Sequence, residues 1–84
     1  MYKKEHILGV KLYWQQKEAE GLYRQIVQGR EKMLGKEHAD TLKGKYQLAN
    51  SLHEQQKYQE AEGLYRQVVQ GLEKLLGKEH ADTL

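Results

Sequence analysis

Two tetrads in this 84-residue chain carry side chains that could do chemistry: Glu37-His38-Ala39-Asp40 and Glu79-His80-Ala81-Asp82. Each sets an imidazole and two carboxylates within four residues, ligand types that can hold zinc. A metal site needs its ligands oriented by neighbouring hydrogen bonds, which one short loop seldom supplies. We therefore read both tetrads as linker and helix-cap residues and expect no metal. His6 and His53 have no acid–base set repeated around them. No Ser/His/Asp arrangement, phosphate-cradling glycine loop or paired carboxylate set emerges. No residue is assigned as catalytic, and neither enzyme activity nor a cofactor is expected. With no cysteine, a disulfide framework, a thiolate zinc site and a thiol nucleophile are all excluded.

Charge narrows the partners further. Fourteen bases stand against twelve acids, and Lys3, Lys4, Lys36, Lys43, Lys45 and Lys78 are scattered among carboxylates rather than drawn into a stripe. This is no footprint for nucleic acid. Trp14, in Leu12-Tyr13-Trp14, reads as a packing aromatic rather than a base-stacking platform. No apolar run approaches the roughly 20 residues needed to cross a membrane. The composition suits a cytoplasmic, mostly helical module with a thin core.

The elements that carry these residues come in two copies. Glu18–Leu42 and Glu60–Leu84 differ at only three of 25 positions: Ile26/Val68, Arg30/Leu72 and Met33/Leu75. Their offset is 42 residues, half the chain length. Upstream the copies match at an offset of 40, pairing Leu8 with Leu48, Leu12 with Leu52, and Gln15-Gln16-Lys17 with Gln55-Gln56-Lys57. The first copy thus lacks the two residues corresponding to Tyr58-Gln59. We divide the chain into a first unit, 1–42, with a shortened turn, and a second unit, 43–84, with its linker.

The second copy reads as two helices. Asp40 can cap the first, from about Leu42 to Gln55, with Leu48, Ala49 and Leu52 inward. Gln56-Lys57 makes the turn. Tyr58, Ala61, Tyr65, Val68, Leu72 and Leu75 follow at spacings of three and four, one face of a second helix. Gly77 stands where a terminating glycine belongs, with Lys74 and Lys78 near the negative end of the dipole.

The missing pair changes the first copy. Leu52 and Ala61 lie nine residues apart, so one straight helix would put them about half a turn out of phase. Leu12 and Ala19 lie seven apart, about 20° short of two full turns. Leu8, Leu12, Gln15, Ala19, Leu22, Ile26, Gly29 and Met33 then form one stripe, and residues 13–20 contain no glycine or proline. The spacing predicts a single helix over about residues 3–34. Such a helix cannot fold back on itself, so its stripe needs another surface. The expected outcome is a two-fold homodimer exchanging equivalent elements, with Leu8, Leu12, Trp14, Ala19, Leu22, Ile26 and Met33 as the self-association residues.

Leu48-Ala49, Leu52, Tyr58, Ala61 and Tyr65 fall where the tetratricopeptide repeat carries its signature apolar, small and aromatic positions. The chain resembles that family. Its 42-residue period and LGKEHADTL linker resemble the kinesin-light-chain-like and nephrocystin-like subclass. Ala39 and Ala81 depart from the linker proline usual there. Glycines 21, 29, 63 and 71 fall inside predicted helices, where each costs up to about 1 kcal/mol relative to alanine unless close packing requires it.

The resemblance implies an all-α solenoid of two helix-turn-helix units and a peptide groove lined by the first helix of each. Carried onto the second copy, the groove positions are Lys43, Tyr46, Gln47, Asn50, His53 and Glu54, with Asn50 where a bound peptide's backbone is often held. In the first copy they are Lys3, His6, Ile7, Val10, Tyr13 and Trp14. The basic set and third repeat of a carboxylate clamp are absent from this sequence. The leading reading is a non-enzymatic scaffold that binds protein or peptide and associates with itself. The alternative is a purely structural, domain-swapped module or an engineered repeat without a native ligand.

Overall fold

A computed structural model describes the backbone of residues 4–83 and the side chains of residues 9–77. Three helices make up the fold: α1, Lys4–Leu34; α2, Ala39–Glu54; and α3, Tyr58–Thr83. Helix α2 lies between the other two, and the molecule extends 65 × 27 × 17 Å. Helix α1 runs unbroken through residues 13–20. The sequence there offers the backbone no reason to turn, and helix is its local default. Gly35 ends α1 at φ +95°, a conformation that costs an L side chain about 1–2 kcal/mol.

Where the two extra residues are present, the chain does turn. Glu54 ends α2, and Gln56 adopts φ +66°. The turn is held by backbone bonds from Gln56 N–H to the His53 carbonyl and from Lys57 N–H to the Leu52 carbonyl, each 2.9 Å. Helices α2 and α3 close as a hairpin over Leu48, Leu52 and Ala61, with Leu64 and Tyr65 packed against them. Leu42, Ala49 and Val68 complete its buried apolar set.

Several sequence expectations are corrected. The N-cap of α2 is His38, not Asp40: the His38 ring accepts from Asp40 N–H at 3.1 Å, and the helix starts at Ala39. Asp40 falls within the first turn, where its charge favours the positive end of the dipole. Gly77 does not end α3, which continues to Thr83. No described element packs against its far end, so nothing there rewards a turn. Leu72 and Leu75 were expected inward but are 42% and 43% exposed. Helix α3 has 26 residues and α2 only 16, so α3 outruns its neighbour by about 15 Å.

Two glycines of α3 meet different surroundings. A Cβ on Gly63 would touch nothing within 4 Å, whereas one on Gly71 would lie 2.6 and 2.7 Å from the Leu42 methyls. Leu42 is 2% exposed, and its whole isobutyl group would have to shift to admit the methyl. Gly63→Ala is expected to raise stability by up to about 1 kcal/mol. Gly71→Ala combines that gain with an overpacking cost of about 1–3 kcal/mol and should lower stability. Urea unfolding of the two variants reads the difference in sign.

Candidate interaction surface

Helix α2 buries Thr41, Leu42, Gly44, Lys45, Leu48, Ala49, Ser51 and Leu52 and turns its opposite side outward. Lys43, Tyr46, His53 and Glu54 are exposed there, and Gln47 and Asn50 are half-buried. These are the six groove positions named from the sequence, and they form one stripe. On one flank a cleft of about 480 Å³ separates α2 from α1, lined by Leu12, Ala19 and Tyr23 opposite Gln47, Asn50 and Glu54. On the other flank an apolar groove of about 430 Å³ runs between Leu42 and Tyr46 of α2 and Tyr65, Val69 and Leu72 of α3.

Side-chain contacts fix parts of this stripe. The Tyr65 hydroxyl donates to Asn50 Oδ1, which orients the amide and keeps its N–H₂ available as a donor. Tyr46 and Tyr65 pack with centroids 5.9 Å apart, and His53 meets Tyr58 edge-on at 4.9 Å. Asn50 can thus donate to a carbonyl between two aromatic walls. Lys3, His6 and Ile7 of the first-copy set lie outside the described side chains, while Val10, Tyr13 and Trp14 are exposed on α1.

The face α1 turns toward α2 is not the stripe singled out in the sequence. Tyr23 and Val27 make the contact, and Val27 belongs to the buried core. Leu12, Leu22, Ile26 and Met33 are 55%, 58%, 40% and 86% exposed, Trp14 is 65% exposed and Ala19 is half-buried. The side chain of Leu8 lies outside the described residues. The two faces of α1 diverge by about 100°, as residues one position apart must on a helix. Tyr23 could have been found from the repeat itself, because its equivalent Tyr65 lies on the apolar face read for the second copy; Val27 could not, since its equivalent Val69 is 52% exposed.

Glu20, also unremarked in the sequence, ties α1 to the α2–α3 turn. One carboxylate oxygen accepts from Arg24 Nε at 2.9 Å, and the other from Gln55 Nε2 at 2.9 Å and Lys57 Nζ at 3.1 Å. Arg24 continues to Glu60 at 2.8 Å. Burial by itself would raise the Glu20 pKa, but these three donors outweigh it and hold the carboxyl at about 2. The sequence signal was the Glu20/Arg24 pair at a spacing of four, a common helix-surface feature.

The first tetrad is occupied with structural work. The His38 ring caps α2, Glu37 pairs with Lys74 at 2.7 Å, and the Asp40 carbonyl accepts from Arg30 at 2.8 Å. Among the described residues no group of three His, Cys, Asp or Glu could hold a metal ion. The second tetrad, Glu79 to Asp82, lies outside the described side chains. No described helix is long and apolar enough to cross a membrane.

Comparison with known families gives a match to the tetratricopeptide repeat over residues 14–40 and 42–82. No curated protein and no solved structure matches the chain.

Proposed function

Because the chain belongs to the tetratricopeptide repeat family, we propose that it is a non-enzymatic scaffold whose α2 stripe receives an extended peptide. The carrying observation is the placement of Asn50: its amide is half-buried, oriented by Tyr65, and lines the cleft between α1 and α2. Lys43 at one end of the stripe and Glu54 at the other give a peptide a preferred direction. The units are 1–42 and 43–84, and the period and linker favour the kinesin-light-chain-like and nephrocystin-like subclass. The test is panning of a random 12-residue peptide library against the wild-type chain and against the double variant Tyr46→Ala/Asn50→Ala. Enrichment of a related peptide set that the variant no longer retains is the expected result. A set retained equally by both would remove the α2 stripe as the site.

The scaffold also associates with itself, most simply as a homodimer. In its favour, fourteen large apolar side chains are exposed among the described residues while only seven apolar side chains are buried. An apolar balance of this kind marks surfaces that meet other protein. Sedimentation at micromolar concentration is expected to give twice the chain mass.

A further inference from the structure

We infer that two copies pair their α1 helices antiparallel about an axis between Gln15 and Gln16, and that the peptide groove is completed across the chain boundary by the partner's Val10, Tyr13 and Trp14. This rests on the self-association just proposed and names its geometry. The template lies within the chain itself. In the α2–α3 hairpin Leu52 packs with Ala61, large against small, and both are fully buried. Their equivalents Leu12 and Ala19 sit on one face of α1, two turns or about 10 Å apart, and cannot meet within one helix. Between two antiparallel copies they meet twice, Leu12 on the partner's Ala19 and Ala19 on the partner's Leu12. The same register carries the helix start of each copy over Leu22 and Ile26 of the other. Those two side chains are exposed in the single chain, whereas their equivalents Leu64 and Val68 are half-buried and buried.

Three features select the antiparallel register over a parallel one. A parallel pair would set Ala19 against Ala19 and Gly29 against Gly29, leaving gaps where the hairpin has complementary sizes. Lys11 and Glu18, both exposed, lie seven residues apart on the same flank of the stripe. In an antiparallel pair each flank meets itself, so Lys11 comes within two residues, about 3 Å of rise, of the partner's Glu18, a gap these long side chains span. Gln15 interrupts the apolar stripe at the axis, where its amide finds an amide of the other copy. One polar residue in an apolar seam specifies register in this way.

The exchange leaves the buried Val27 contact of α1 with the core intact, because Val27 lies outside the cleft, while Tyr23 remains in its lining. The incoming helix enters the cleft now lined by Leu12, Ala19, Gln47 and Asn50. It runs parallel to α2, placing the partner's Val10, Tyr13 and Trp14 alongside their equivalents Asn50, His53 and Glu54. A groove that one chain half-builds is then walled on both sides by aromatic residues.

The experiment uses the absence of cysteine from the chain. Oxidised Leu12→Cys/Ala19→Cys is expected to give a covalent dimer in high yield, and Leu12→Cys alone almost none. Efficient cross-linking of the single variant would identify a parallel pair and overturn the exchange, as would a double variant that stays uncross-linked. A second arm needs no cysteine: inserting Tyr-Gln after Lys17 restores the turn and should halve the native mass. Unchanged dimer mass after insertion overturns the exchange while leaving self-association standing. A monomeric wild-type chain removes both.

Discussion

Replacing Leu52 with alanine is expected to cost about 2–5 kcal/mol, the range for truncating a fully buried leucine. Leu52 is 0% exposed and belongs to the cluster that joins α1, α2 and α3 through Val27, Leu48 and Ala61. Small domains hold only about 5–15 kcal/mol in total. With seven buried apolar side chains in the described part, this molecule should sit at the low end. Leu52→Ala should therefore shift the urea midpoint far enough to populate unfolded chains without denaturant. Leu12→Ala is the informative comparison. The two leucines are equivalent in the repeat, but Leu12 is 55% exposed. In one chain its loss should change stability by no more than about 0.5 kcal/mol. In the exchanged dimer proposed above Leu12 would do the work of Leu52, and its loss is expected as weaker dimerisation.

Acid should act on the molecule chiefly through Glu20. Its carboxyl is held at about 2 against an ordinary 4.5, so the folded state binds that proton less readily than the unfolded chain. The stability this contributes is fully present above about pH 4.5 and is lost as the pH falls toward 2. Linkage converts the gap into roughly 3 kcal/mol at most. Glu20→Gln should lower stability at neutral pH and flatten the profile between pH 5 and 2. Glu62→Gln should leave both nearly unchanged. Thermal unfolding across that pH range separates the two variants, and parallel profiles for Glu20→Gln and wild type would refute the role given to Glu20.

That pair of glutamates shows where the sequence stops being informative. Glu20/Arg24 and Glu62/Arg66 are identical pairs at a spacing of four, and each forms its ion pair in the structure. The Glu20 side chain is 13% exposed and takes up Gln55 and Lys57, while that of Glu62 is 62% exposed and takes up neither. Local spacing encodes the pair within a helix. It does not encode which copy has a neighbour.

The candidate surface divides along the same line. The outward stripe of α2 was legible through the family resemblance, which places Lys43, Gln47, Asn50 and Glu54 off the face that Leu48 and Leu52 bury. The coupling of Asn50 to Tyr65 was not, since it depends on the closure of a hairpin 15 residues wide. Sequence alone does not choose between His38 and Asp40 as the cap, because both can accept a helix N–H and only the starting point of α2 decides.

The chemistry-capable tetrads at residues 37–40 and 79–82 illustrate both halves of this. Sequence by itself determined that they repeat and that a two-residue loss at Lys17 turns the first pair of helices into one. These follow from periodicity and from the absence of any turn-forming residue, which are local properties of the backbone. The linker expected at residues 79–82 is helix instead, within α3. Only the tertiary structure decided what the first tetrad holds: a cap on α2, a bond from Arg30 and a bridge to Lys74. Only it decided that Gly35 breaks a helix and Gly77 does not. Identical local sequences have the same propensities, and the difference comes from whether another helix is present to reward the turn.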